Sequence, residues 1–168
     1  MPQEDNMKFT LTLDRRVVAA IQKVLEGRDM NLYLQHLIVA HVINADLIDP
    51  TIGKEFDLKV SLLTRVHETA RNIFRAQGFS PDFTEKVVRA SEADPQWLDD
   101  YAAVVGDDPY KTGNPRKHKI NRAIGACVRE AIGGVVATSP NGKPILEPVS
   151  GSIIQKFTRM ESCTLTTE

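Results

Sequence analysis

Acidic side chains in the middle of the chain are the first candidates for chemistry. Five aspartates precede a lysine within residues 94–111: Asp94, Asp99, Asp100, Asp107, Asp108 and then Lys111. These residue types occur in metal-dependent nucleases, where carboxylates hold a metal that activates water. Such carboxylates must converge from different strands or helices, whereas these lie at a predicted helix start, on an exposed helix face and in a loop. We therefore interpret them as solvated charges, and the sequence predicts no metal site and no catalytic residue.

Other enzyme signatures do not occur in the sequence. It contains no Gly-x-x-x-x-Gly-Lys-Ser/Thr phosphate loop, no dinucleotide-binding glycine fingerprint, no His-Glu-x-x-His and no nucleophile elbow. Cys127 and Cys163 lie far apart without metal-type spacing, and His67 has no Cys, Asp or second His at ligand spacing. The sequence therefore predicts no cofactor and no enzyme.

A basic cluster at residues 116–119 favours anion binding. Asn114-Pro115 precedes it, which is a capping oxygen followed by a proline at the first helical position, and the predicted helix continues to Ile132. Cations are unfavourable at the positive end of a helix, but a phosphate there would be bound by both amides and side chains. The candidate phosphate-binding residues are Arg116, Lys117, Lys119, Arg122 and Arg129. The alternative is a solvated surface, or a patch that meets the acidic middle of this or a neighbouring chain.

Charge is unevenly distributed along a chain whose net charge is only −1. Residues 1–45 carry five basic and five acidic side chains, residues 46–110 carry seven and thirteen, and residues 111–168 carry nine and four. The three net charges are therefore 0, −6 and +5, which sum to −1. A nucleic acid would bind the basic end or the first segment, and the acidic middle is available to a protein partner.

The first segment contains three short elements in a specific order. Residues 7–13 alternate between apolar and polar side chains, which predicts a strand with Lys8, Thr10 and Thr12 on one face. Asp14 is placed to cap a first helix that ends near Gly27, and Asn31 is placed to cap a second helix. The second helix is apolar nearly all round, as expected of a helix enclosed by two chains.

Residues 7–45, about a quarter of the chain, resemble a ribbon-helix-helix domain of the MetJ/Arc type. In that family two chains pair their strands into an antiparallel ribbon that lies in the DNA major groove. The resemblance implies a homodimer in which Lys8, Thr10 and Thr12 face the bases and the amides around Asn31 hold a phosphate. A single strand with a marginal core also needs a partner strand on physical grounds. The alternative is an ordinary strand-helix-helix start to a globular domain.

The remaining chain predicts helices followed by strands. Asp49-Pro50 and Gly53 indicate a boundary, after which a helix covers residues 54–77. Ser80-Pro81 and Asp94-Pro95 each predict a further helix start. After Ile132, residues 135–138 and 143–147 flank Asn141-Gly142, which is the pattern of a β-hairpin, and residues 152–158 are compatible with a third strand.

These patterns together predict an α+β fold with three regions. Residues 1–48 form a strand-helix-helix dimerisation unit, residues 49–113 an acidic helical region, and residues 114–168 a basic helix followed by a small β-hairpin or sheet. The predicted function is that of a DNA-binding regulatory protein, such as a repressor, an antitoxin or a plasmid- or phage-type accessory factor. It would bind double-stranded DNA as a homodimer in the cytoplasm, and no association with a membrane is predicted. The alternative is a protein–protein adaptor or inhibitor that docks on a host enzyme.

Overall fold

The computed structural model describes residues 10–25 and 29–161. Within these residues the chain forms six helices and four short strands. The helices are α1 (Arg15–Leu25), α2 (Met30–Asn44), α3 (Pro50–Gln77), α4 (Phe83–Glu92), α5 (Pro95–Val105) and α6 (Pro115–Ile132). The strands are β1 (Val135–Val136), β2 (Leu146–Pro148), β3 (Lys156–Thr158) and β4 (Met160–Glu161).

The predicted α+β class and its opening strand-helix-helix unit are wrong. The described chain is mainly helical, its first element is α1, and residues 10–13 form no strand. Lys8 and Phe9, which were predicted to begin the strand, lie outside the described residues. A few alternating residues are not stable as a strand without a neighbour that supplies hydrogen bonds and covers the apolar face. Leu11 accordingly remains 66 % exposed.

Local capping explains where most of the helices begin. Asp49, Asp94 and Asn114 each accept hydrogen bonds from amides at the start of α3, α5 and α6, and a proline follows each of them. Asp49-Pro50 therefore begins a long helix, although the sequence indicated a boundary there. Phe83 begins α4 without a side-chain cap, so Ser80-Pro81 does not start it as predicted.

The cap of α2 also differs from the prediction. The Asp29 carboxylate accepts a hydrogen bond from the Leu32 amide at 2.7 Å, so Asp29 and not Asn31 is the capping residue. Asp29 is two residues earlier in the chain and has the extended backbone that this role requires. By contrast, the predicted bounds of α6 are confirmed, because Gly133 ends that helix in the left-handed conformation with φ 62°.

The longest helix, α3, organises the core. It contacts α2 and also packs against α4, α5 and α6. The buried cluster combines side chains from α3, α4, α5, α6, β3, β4 and the segment just before β3, including Leu62, Val66, Phe83, Trp97, Tyr101, Ile124, Val128, Ile153 and Met160. Burying large apolar side chains of this kind is the main stabilising contribution to such a fold.

The strands form two small antiparallel sheets after α6. β1 pairs with β4, and β2 pairs with β3. The predicted turn around Asn141-Gly142 forms: Thr138 bridges Pro144, the Ser139 amide donates to the Lys143 carbonyl oxygen, and the Ile145 amide donates to the Ala137 carbonyl oxygen. The start of the first predicted strand differs, because Val135 pairs with Glu161. None of the described helices is both long enough and apolar enough to cross a lipid bilayer.

Candidate functional site: a basic groove beside α6

A groove of about 490 Å³ lies between α6 and the segment 153–158, which contains β3. We call it the α6 groove. Its α6 side includes Lys117, His118, Asn121, Arg122, Gly125 and Arg129, and its opposite side includes Ile153, Ile154, Lys156, Phe157 and Thr158. The volume falls within the range of ligand sites, which is about 300–1,000 Å³.

The charge of the α6 groove is entirely positive. One face of α6 carries His118 and, at four, seven and eleven residues further on, Arg122, Gly125 and Arg129. Lys156 lies on the opposite side, and no Asp or Glu is among the lining residues. Cations concentrated in a concave surface produce a positive potential that attracts anions.

Two of these cations have no competing partner. Arg122 is exposed and Arg129 is half-buried, and neither side chain forms an ion pair or hydrogen bond with any residue in the described part of the chain. Two other arginines are paired, because Arg65 donates to the Asp100 carboxylate and Arg89 donates to Glu85 at 2.8 Å. The guanidinium donors of Arg122 and Arg129 therefore remain available to an anion.

Lys117 has a more structural position than the sequence indicated. Its side chain is buried, and its Nζ donates to the Lys111 carbonyl oxygen at 2.9 Å. Burial lowers the pKa of this amine from its ordinary value. The Lys117 amide and the Arg116 amide both donate to Asn114 Oδ1, so the helix amides predicted to hold a phosphate are already capped.

The predicted basic stripe divides between two surfaces. Arg122 and Arg129 line the α6 groove, whereas Arg116 and Lys119 do not. Arg116 lies 3.7 Å from the Glu55 carboxylate on α3, and Lys119 is exposed elsewhere on α6. Sequence reasoning missed His118 and Lys156 as groove residues. The position of His118, four residues before Arg122, was a usable signal, but only the tertiary structure brings Lys156 to this side of α6.

The N-terminal candidates lie away from this site. Thr10 and Thr12 are exposed in irregular chain, and Asn31 is exposed near the start of α2. None of the three lines the α6 groove. Lys8 lies outside the described residues, so the structure gives it no position.

Hydrogen bonds from three helices hold the groove in shape. Tyr101 on α5 donates to Asn121 Oδ1 at 2.6 Å, and Asn121 Nδ2 donates to the Ile153 carbonyl oxygen at 3.4 Å. Glu92 on α4 accepts from the Ser152 hydroxyl and the Ile153 amide. The two sides of the groove are therefore fixed to the helical core. Gly125 leaves its floor open, because a Cβ at this position would meet no atom within 4 Å.

The acidic candidates of the middle region do not form a site. Asp94 caps α5, Asp100 pairs with Arg65, and Asp107 pairs with Lys111 at 2.9 Å. Among the described residues, no three or more His, Cys, Asp or Glu side chains are arranged to hold a metal ion.

Cys127 on α6 is not among the residues that line the groove. The Cys127 thiol is buried and donates to the Leu63 carbonyl oxygen at 3.3 Å, and burial raises its pKa to about 12. The charged side chains that line the α6 groove are therefore all basic: Lys117, Arg122, Arg129 and Lys156. Comparison with known protein families, curated proteins and solved structures finds no match for this chain.

Proposed function

We propose that this protein is a DNA-binding regulatory protein that contacts the phosphate backbone through the α6 groove. The observation that carries the proposal is the composition of the groove, in which Arg122, Arg129, Lys156 and His118 meet no carboxylate among the lining residues. Phosphate contacts supply most of the affinity in protein–DNA complexes, and arginine is well suited to them because it donates in a planar fork.

The spacing of the two arginines suits a chain of phosphates. Arg122 and Arg129 are seven residues apart on one helix, which corresponds to about 10 Å along the axis. At this separation the two guanidinium groups can each bind a different phosphate of the duplex. The opening strand predicted to read bases is not supported, so the proposal assigns phosphate contacts and no base contacts.

The test is to titrate the protein into a fluorescently labelled random-sequence duplex and to measure binding by fluorescence anisotropy at several salt concentrations. We expect the logarithm of the binding constant to fall linearly with the logarithm of salt, by about 0.9 for each phosphate contacted. Arg122→Ala combined with Arg129→Ala should reduce the slope by about 2 and weaken binding to all sequences alike.

Two controls locate the binding surface. Arg75→Ala removes an exposed arginine from the last turn of α3, outside the groove lining, and should leave the slope unchanged. Arg116→Ala and Lys119→Ala test whether DNA instead follows the other side of α6. Salt-independent binding, or the same slope in the Arg122/Arg129 double variant as in the wild type, would contradict the proposal.

A protein–protein adaptor is the second candidate function. It is favoured by the exposed apolar side chains of the N-terminal helices, such as Leu37 at 49 % and Ile38 at 59 % exposed. An adaptor would give no salt-dependent binding of DNA in the same titration. The cytoplasmic location remains part of the proposal, since two cysteines far apart in the sequence are typical of reduced thiols.

A further inference from the structure

The floor of the α6 groove is apolar, and phosphate contacts do not use it. The floor residues belong to the buried core cluster and come from α4, α6 and residues 153–160: Val88, Ile124, Ile153, Ile154, Phe157 and Met160. A DNA backbone presents phosphates and sugars, which exposed cations such as Arg122 and Lys156 can contact from outside the cavity. The proposed function therefore leaves the interior of the groove unexplained.

The size and the lining of the groove match those of a small-molecule site. Such sites combine apolar walls with a few polar groups that orient the ligand. A DNA duplex is too wide to enter a cavity of about 490 Å³, whereas a small organic molecule can bury most of its surface there. The interior is thus available to a ligand with an apolar body.

Lys117 places a buried cation at one end of the groove. The residue is 5 % exposed and lines the cavity together with residues 112–113 of the preceding loop. The Lys111 carbonyl oxygen accepts one hydrogen bond from its ammonium, which leaves the remaining donors for a ligand. No carboxylate in the described part of the chain pairs with it, and Asp108 and Glu92 attract it only from farther away. Because a cation removed from water without a counter-ion is costly, an anion in the groove would stabilise it.

We infer that the α6 groove binds a small amphipathic anion, which is an apolar body that carries one carboxylate or phosphate head. The head lies between Lys117 and Arg122, which is about 7.5 Å further along the helix axis and has no partner in the described chain. The body lies on the apolar floor and extends past Gly125 towards Met160, which approaches Gly134 beyond the other end of α6. Apolar contact supplies affinity, and the cations select the charge of the head.

This ligand would regulate DNA binding, and that step rests on the proposed function. The proposed function assigns Arg122 to a DNA phosphate. An anionic head beside Arg122 would occupy its donors and repel a second anion. The amphipathic anion should therefore compete with DNA.

The test is to titrate the full chain with defined probes and to follow its backbone amides by heteronuclear NMR, without nucleic acid. The probes are octanoate, octyl phosphate, octanol and inorganic phosphate. Octanoate or octyl phosphate should bind about tenfold more tightly than octanol and inorganic phosphate, and the tighter of the two identifies the preferred head. The shifted amides should belong to α6 and residues 153–158, and not to α2.

Variants separate the head from the body. Lys117→Met should reduce the affinity for the octyl anion to that for octanol and leave octanol binding unchanged, which a folding defect would not do. Arg122→Ala, at an exposed residue, should act in the same direction. Lys59→Met is the matched control, because Lys59 is exposed on α3 outside the groove lining. Gly125→Leu should weaken the octyl anion and octanol alike, since its side chain enters the open floor.

Three results would overturn the inference. These are octyl anions that bind no more tightly than octanol, shifts confined to α2, and unchanged selectivity in both Lys117→Met and Arg122→Ala. At constant ionic strength the octyl anion should also weaken binding of the labelled duplex, and unchanged DNA affinity would contradict competition. A protein that binds an octyl anion but no DNA loses only the proposed function, whereas one that binds DNA but no octyl anion loses only this inference.

Discussion

Tyr101 donates its hydroxyl hydrogen to Asn121 Oδ1 at 2.6 Å, which joins α5 to the helix that forms one side of the groove. Tyr101 is completely buried, and burial raises the pKa of its phenol well above the ordinary value. The hydroxyl therefore stays protonated and acts as a permanent donor. It orients the Asn121 amide so that its nitrogen faces the Ile153 carbonyl oxygen across the groove.

Removing this hydroxyl should destabilise the protein. Tyr101→Phe leaves the part-buried Asn121 oxygen without its donor, and we expect a loss of about 1–3 kcal/mol in the free energy of unfolding. Urea denaturation measures this value. Tyr110→Phe is the matched control, because Tyr110 is exposed in a loop and its substitution should change stability little. Equal losses in both variants would show that the Tyr101 bond does not support the fold.

Gly125 should be a site where alanine stabilises the protein. A Cβ at this position meets nothing within 4 Å, so Gly125→Ala adds no clash in the middle of α6. The substitution reduces the conformational freedom of the unfolded chain and should raise the free energy of unfolding by about 0.5–1 kcal/mol. Gly125→Trp provides a second measurement, because its side chain should fill the groove floor and weaken DNA binding while the helix content is preserved.

Gly53 should respond to the same substitution in the opposite direction. A Cβ there would lie 2.9 Å from Ile43 Cγ1, which is closer than van der Waals contact allows. Gly53→Ala must therefore displace the Ile43 side chain, and overpacking of this kind costs about 1–3 kcal/mol, more than the helix propensity gained. Urea denaturation of both alanine variants makes the comparison. Stabilisation by Gly53→Ala would contradict the close approach of the two helices.

His67 should make the protein less stable in acid. Its side chain is buried, and burial is the main reason that its pKa is lowered from 6.5, with Arg71 acting in the same direction and Asp29 and Glu68 opposing it. Below pH 6.5 the unfolded chain binds a proton that the folded chain does not. The stabilisation is therefore complete above that pH and is lost as the pH falls through the folded pKa.

The measurement is the free energy of unfolding as a function of pH. His67→Gln should flatten the decline below pH 6.5, whereas the exposed control His41→Gln should keep the wild-type profile. A decline that is equally steep in His67→Gln would assign the acid sensitivity to other groups.

Cys127 should react slowly in the folded protein. Because burial raises its pKa from 9.0 to about 12, the thiolate fraction at neutral pH is lower by about a thousandfold. Alkylation by iodoacetamide measures this in a Cys163→Ser background, which leaves Cys127 as the single thiol. Labelling in urea should be fast and complete. Native protein that labels as fast as the unfolded chain would contradict the buried position.

Several features of the fold follow from the sequence because they depend on neighbouring residues. The bounds of α5 and α6 are set by hydrogen bonds within three residues of Asp94 and Asn114 and by the left-handed glycines Gly106 and Gly133. These bonds form wherever the segment lies, so reading the sequence was sufficient. The basic residues of α6 were likewise identified by their spacing along one helix.

Only the tertiary structure decided which partners distant segments acquire. Val135 pairs with Glu161, which is far away in the sequence, whereas residues 10–13 have no partner strand. Strand pairing depends on surfaces that the spacing of residues in the sequence does not reveal. The α6 groove depends on the packing of segment 153–158 against three helices, which brings Lys156 to the side opposite Arg122 and Arg129. The sequence by itself determined the bounds of α5 and α6 and the charges on them, and long-range packing determined which of those charges share one surface.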